Sequence, residues 1–277
     1  MKNLKLFMTL VLFTTFMVSC SDNESTDTSD EQQQDYSEVS RSSEIDKASA
    51  SMDDIAIEIY EAQEASEDNR QAADFSRMPE CVTITVVAQQ NFREITIDFG
   101  TEGCLINNNI LKGKIILTYT RNPEAQEVSI TKTLEDFYFN NKNLIGSKSI
   151  LKELSNENGN PQFTKTGSLT IVWPNGAQAT REGTKVREWV EGFGSGVWSD
   201  NVFEISGNWS TTFVNGNTHS YTVVEPLRRE VVCFFFVSGT VDVVRTNFSG
   251  VFDYGDGNCD NMATFTFSNG EVVDIIL

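Results

Sequence analysis

Carboxylates are the groups this sequence supplies most freely for chemistry. It carries 40 acidic against 21 basic residues, a formal charge of −19. Two carboxylates can serve as acid and base in glycoside hydrolysis, and Glu182, Glu188 and Glu191 gather around Trp189. Charged side chains along a strand are ordinarily solvated, so these three read as surface residues and the chain as a non-enzyme. Its one histidine, His219, follows an Asn-Gly turn and also reads as a surface residue. A single histidine excludes zinc or iron sites built from several imidazoles, and it leaves little for histidine-dependent hydrolases. Asp253, Asp256 and Asp260 form an oxygen-rich loop of the kind calcium accepts. Their spacing is not that of an EF-hand and suits turn formation better, so no metal or cofactor is expected. Trp173, Trp189, Trp198, Trp209 and Tyr221 crowd the middle third of the chain. They are candidates for a ligand platform on which a sugar ring stacks or a peptide rests, and large aromatics serve equally in a β core. Phe234-Phe-Phe-Val suggests continuous burial, in a packed core or in the lining of a hollow sheet that holds a lipid.

From residue 80 onward the apolar residues alternate with polar ones. Val82–Val86, Glu94–Asp98, Lys114–Tyr119, Ser168–Trp173, Gly239–Val244 and Met262–Phe267 are examples. Such alternation marks half-buried antiparallel strands. Asn158-Gly159, Asn175-Gly176, Asn215-Gly216 and Asn269-Gly270 lie between these runs as hairpin signals, and Asn-Gly fits the two left-handed positions of a type I′ turn. About thirteen strands result, with no helical segments among them. The expected fold is therefore all-β, a long antiparallel meander over 71–277. Its length requires it to curl or to fold into two layers.

Ahead of the strands, Ile45, Ala48, Met52, Ile55, Ile59 and Ala62 recur at spacings of three and four. That spacing predicts one amphipathic helix over 44–70, with Ser43 and Asp46 as its start signal. Residues 21–70 hold 16 acids and 3 bases. Residues 20–43 are polar and acidic, with too little apolar surface to fold, and read as a disordered tether. The acidic balance also argues against nucleic acid as a partner.

Two stretches repeat. Residues 98–104 read Asp-Phe-Gly-Thr-Glu-Gly-Cys, and 253–259 read Asp-Tyr-Gly-Asp-Gly-Asn-Cys. Cys81 lies 23 residues before Cys104, and Cys233 lies 26 before Cys259. Each interval looks like two strands and a turn, which would bring its cysteines to the same end of a hairpin. Four cysteines allow three pairings. The local one, Cys81–Cys104 with Cys233–Cys259, needs no long-range assumption.

The first residues look like an address. Lys2 and Lys5 precede the apolar run Leu6–Val18, which is the length of a signal peptide's core and short for a membrane span. Met17-Val18-Ser19-Cys20 resembles a bacterial lipobox, which implies a signal peptide over 1–19, cleavage before Cys20 and acylation of that cysteine. Ser21-Asp22-Asn23-Glu24 resembles the surface-export signal of Bacteroidota lipoproteins. The body is similar to an uncharacterised Bacteroidota lipoprotein family. That resemblance rests on Ile95-Thr-Ile-Asp-Phe-Gly with Cys104, Lys112-Gly-Lys-Ile-Ile, Arg187-Glu-Trp, Gly196-Val-Trp, Ser238-Gly-Thr-Val-Asp and Asp253-Tyr-Gly-Asp-Gly-Asn-Cys-Asp-Asn. It implies an envelope address and an all-β body and carries no activity. The expectation is an outer-membrane lipoprotein, exposed on the cell surface or alternatively facing the periplasm. It would be held to the membrane by its lipid and would act as a non-catalytic binding or structural module for a glycan, lipid or protein ligand. The alternative is a carbohydrate-active enzyme using a carboxylate pair.

Overall fold

The computed structural model describes residues 28–245 and 249–277, with side chains from residue 37 onward. The chain divides into two compact units, Met1–Ser37 and Glu38–Leu277. The described part of the first is helical backbone from Thr28. The signal segment 1–19, Cys20 and the start of the expected tether lie outside the described residues.

Among the described residues one helix, α1 (Thr28–Asn69), precedes the strands. Fourteen strands follow: β1 (Thr83–Gln89), β2 (Phe92–Asp98), β3 (Cys104–Ile106), β4 (Asn109–Thr120), β5 (Glu127–Phe139), β6 (Lys142–Glu153), β7 (Gln162–Val172), β8 (Gln178–Glu191), β9 (Val202–Phe213), β10 (Thr218–Glu230), β11 (Ser238–Val244), β12 (Ser249–Asp256), β13 (Met262–Phe267) and β14 (Val272–Ile276). Neighbours in sequence pair antiparallel throughout, except that β2 and the short β3 share the same side of β4. β1 and β14 are the two edges, and the sheet does not close. This is the expected all-β meander, formed as a single curled sheet. Four consecutive strands each carry a mid-strand glycine with positive φ: Gly146, Gly167, Gly183 and Gly207. At Gly183 a Cβ would stand 2.5 Å from the Asn208 carbonyl oxygen and from Trp209 Cα, so only glycine fits where the neighbouring strand approaches this closely.

The curl wraps the helix. Ile45, Ala48, Met52, Ile55 and Ile59 are all buried, as the stripe requires. Burial of side chains this size contributes about 1.5–3 kcal/mol each. The opposite side is buried as well, because Asp46, Asp53, Asp54 and Glu58 are within 8% of complete burial. The helix is thus enclosed by the sheet and does not lie on it by one face. It is also longer than its apolar stripe. Ser43 sits mid-helix and donates to the Ser40 carbonyl at 2.7 Å, so it does not cap the helix. The tether reading fails from Thr28 onward: residues 28–43 are helical, and Glu38, Val39, Ser42 and Ser43 are buried. Their polarity misled because it is satisfied inside the sheet and not by water.

Both disulfides form as the local pairing requires, with Cα–Cα distances of 5.7 Å for Cys81–Cys104 and 5.6 Å for Cys233–Cys259. The repeat is structural. Asp98 and Asp253 each accept the backbone N–H two residues on at 2.8 Å, and the aromatics between, Phe99 and Tyr254, are buried. Asp256 and Asp260 are likewise engaged in local bonds, from Asn258 and the Met262 backbone. Among the described residues, no group of His, Cys, Asp or Glu is arranged to hold a metal ion.

The hairpins fall where the Asn-Gly pairs lie, but only the glycines are left-handed there. Asn175, Asn215 and Asn269 each use the side-chain oxygen to accept the backbone N–H two residues on. The pairs with both residues left-handed are Asn107-Asn108 and Asn140-Asn141. Asparagine tolerates that region well enough to build the primed turn without glycine.

Candidate functional site

The strands' inward positions carry cations as well as apolar residues. On β8, Ala179, Arg181, Lys185, Arg187 and Trp189 lie on the inward-facing alternation. Lys132 on β5, Lys148 and Lys152 on β6, Lys165 on β7 and Arg229 on β10 complete a basic trough. The helix supplies its counter-charges. Asp53 is bridged between Lys132 and Lys165, the latter at 2.6 Å. Asp54 is bridged between Arg187 and Arg229, with Arg229 Nη2 at 2.5 Å. Asp46 pairs with Arg181 and with Lys185 at 2.6 Å. Burial pushes the carboxyls of Asp46, Asp53 and Asp54 up, and the two or three cations around each more than offset it. All three are held below the ordinary range, Asp53 furthest. Lys148 stands in the same trough with Ser49 Oγ at 3.1 Å, and burial together with its cationic neighbours lowers it to about 7.

His219 belongs to this scaffold and not to the surface. It is fully buried, with Nε2 2.9 Å from Glu38 and Nδ1 3.2 Å from the Tyr221 hydroxyl. Asn215 and Asn217, at the β9–β10 turn, also donate to Glu38.

Three of the five platform candidates face the helix. The Trp173 indole donates to Glu44 at 2.6 Å, and Trp209 stacks on Tyr221 with ring centroids 5.6 Å apart. Arg181 lies over both rings of that stack and Lys185 over Trp209. Trp173, Trp209 and Tyr221 are therefore core residues, closed to a ligand by their own helix. The interior is filled, which overturns the hollow, lipid-holding sheet. Phe236 and Val237 are buried, while Phe234 is exposed in the loop before β11, so that run is not continuously buried. Glu182 is exposed, Glu188 accepts from Asn158 and Asn160, and Glu191 pairs with Arg228.

Trp189 and Trp198 do border an opening. A cleft of about 440 Å³ lies between the C-terminal half of α1, the β4–β5 loop and the β8–β9 loop. Four other cavities measure only 10–20 Å³ each, room for about one water. The helix lines the cleft with Glu58, Glu61, Glu64 and Asp68, spaced at three and four so that they share a face. Opposite them stand Trp189, Phe193 and Trp198. Trp189 packs edge-on to Phe193 at 5.0 Å and to Trp198 at 5.6 Å, and its indole donates to Asn201 at 3.0 Å. The loop presenting Phe193 turns on Gly192, where a Cβ would stand 2.5 Å from Asn201 Oδ1. Phe193 and Val197 are more than half exposed at the rim.

Each cation of the cleft is already engaged. Arg77 pairs with Glu58 at 2.9 Å, Lys152 lies 2.6 Å from Glu61, and Arg121 meets Glu64, Glu67 and Asp68. Burial raises Glu61 despite Lys152. Burial, with the negative charge of Asp54, raises Glu58 to about 7 despite Arg77. The carboxylates of the cleft have no place in the sequence reading, which took the helix over 44–70 from its apolar stripe alone. Their signal was the three-four spacing of 58, 61, 64 and 68 itself.

No helix of the described residues is long and apolar enough to cross a membrane. No protein-family model, no curated protein and no solved structure matches the chain.

Proposed function

We propose that this chain is a lipoprotein of the cell envelope, anchored through Cys20 and displayed at the outer membrane surface. In this reading its β domain is a non-catalytic module that binds a hydroxyl-rich ligand, a short glycan, in the cleft. The observation that carries the binding role is the pairing of an aromatic wall with a carboxylate floor in a cavity of about 440 Å³. That volume suits a ligand of two or three rings. Sugar C–H faces stack on indole, and hydroxyls donate to carboxylates. Within the β domain, Glu38 lies beside the β9–β10 turn, and the cleft lies beside the β4–β5 and β8–β9 loops.

A glycan array probed with the chain from Ser21 tests the binding role. The reading expects retention that Trp198→Ala abolishes. No retained glycan, or retention indifferent to Trp198, overturns it. Incorporation of labelled palmitate that disappears in Cys20→Ser tests the anchor.

One observation favours the catalytic alternative. Glu58, raised to about 7, is a carboxyl able to carry a proton at neutral pH, one helical turn from Glu61. Cleavage of a bound oligosaccharide, lost in Glu58→Gln while binding persists, would decide for the enzyme.

A further inference from the structure

The cleft also has a charge preference, and it follows from which of its groups are already taken. Every base lining it is committed to an acid: Arg77 to Glu58, Lys152 to Glu61, and Arg121 to Glu64, Glu67 and Asp68. An anionic ligand would have to break one of these pairs and leave a carboxylate behind. Acceptors, in contrast, remain open. Carboxylates take several donors each. Glu61 gives Oε1 to Lys152 Nζ, 2.6 Å away, so the open acceptor lies at the mouth. Asp68 is 64% exposed at the mouth, with only one oxygen bound to Arg121. The faces of Trp198 and Phe193 add negative quadrupole surface on the opposite wall, which attracts cations.

We infer that the cleft selects amine-bearing sugars, those presenting a free ammonium group among their hydroxyls, over neutral and acidic ones. This rests on the glycan reading above. The ammonium would sit between Asp68 and the floor carboxylates while a ring lies against Trp198. Charge-assisted hydrogen bonds are roughly twice as strong as neutral ones.

The test is calorimetric titration of the chain from Ser21 at pH 6.5, with four disaccharide probes: glucosamine, N-acetylglucosamine, cellobiose and a uronic acid dimer. The expected result is binding of the glucosamine dimer about tenfold or more tighter than either neutral sugar, with the uronic acid dimer weakest. Asp68→Asn, an exposed change that spares the fold, should weaken binding of the glucosamine dimer at least about threefold more than binding of cellobiose. Equal or tighter binding of the neutral or acidic dimers overturns the charge selection and leaves the glycan reading standing. So does an amine preference indifferent to Asp68. Failure of all four probes together with an empty glycan array overturns both.

Discussion

Two stretches of α1, the one over 46–54 and the one over 58–68, carry the same kind of residue in opposite circumstances. In the first, Asp46, Asp53 and Asp54 are buried, yet each meets at least two cations and stays below the usual carboxylate range. In the second, Glu58 and Glu61 are less well matched, and burial wins, raising both. Burial alone therefore does not distinguish a structural acid from one poised for a ligand. The ratio of fixed counter-charges to carboxylates does. Where the sheet supplies two cations per acid, the helix is part of the scaffold. Where it supplies about one, and a cleft opens opposite, the acids retain capacity for something else.

The most severe way to break this comparison is to remove the helix. A chain of 71–277 would leave Lys132, Lys165, Arg181, Arg187 and Arg229 facing one another across an empty trough. Near-ultraviolet circular dichroism and denaturant titration should show no cooperative transition. Asp53→Asn removes one partner of a buried bridge and should cost about 3–5 kcal/mol in urea unfolding. Asp68→Asn, at the exposed end, should cost less than about 1 kcal/mol.

The disulfides sharpen the contrast from the sheet side. Opening either should cost roughly 3–4 kcal/mol on the chain-entropy argument. Only Cys233–Cys259 adjoins the trough, because Arg229, which holds Asp54, also donates to the Cys233 carbonyl. Replacing that pair by alanine should cost more than replacing Cys81 and Cys104.

The two stretches should also respond to different pH ranges. Glu58 is raised from 4.5 to about 7, so folding favours its protonated form. Its contribution is present below pH 4.5 and is lost as pH rises through 7, an effect of about 3 kcal/mol at most. Glu58→Gln should flatten that decline when unfolding is followed at pH 5 and pH 8. Asp53 is lowered, so its contribution persists above pH 3.8 and is lost only on acidification below that value. Trp198→Ala removes an edge-on partner of Trp189 and should cost about 1–3 kcal/mol, with loss of ligand binding measured beside it.

Much of the sheet was legible from residue order. Alternation placed the strands, and the Asp-aromatic-Gly repeat with its cysteines located both disulfides. The helix was half legible. Its apolar stripe marked a buried face, but nothing in residues 38–43 resembles a core segment, because their burial is secured by ionic and hydrogen-bond partners more than a hundred residues away, as between Glu38 and His219. The trough had a subtler signal. Arg181, Lys185 and Arg187 occupy the same alternating register as Ala179 and Trp189, and a surface strand would have placed its cations on the other face. His219 was misread for the same reason, since its partner Glu38 belongs to a distant segment. Of the aromatic candidates, sequence could not separate Trp189 and Trp198 from Trp173, Trp209 and Tyr221. That division depends on where the helix ends relative to the loops.

Carboxyl-detected NMR titration of the chain, labelled at Asp and Glu side chains, measures the contrast between the two stretches directly. The account predicts that Asp46, Asp53 and Asp54 stay ionised below pH 3.8 while Glu58 titrates near 7. If Glu58 instead titrates near 4.5 together with the buried aspartates, the two stretches are alike, and the distinction between scaffold and site fails.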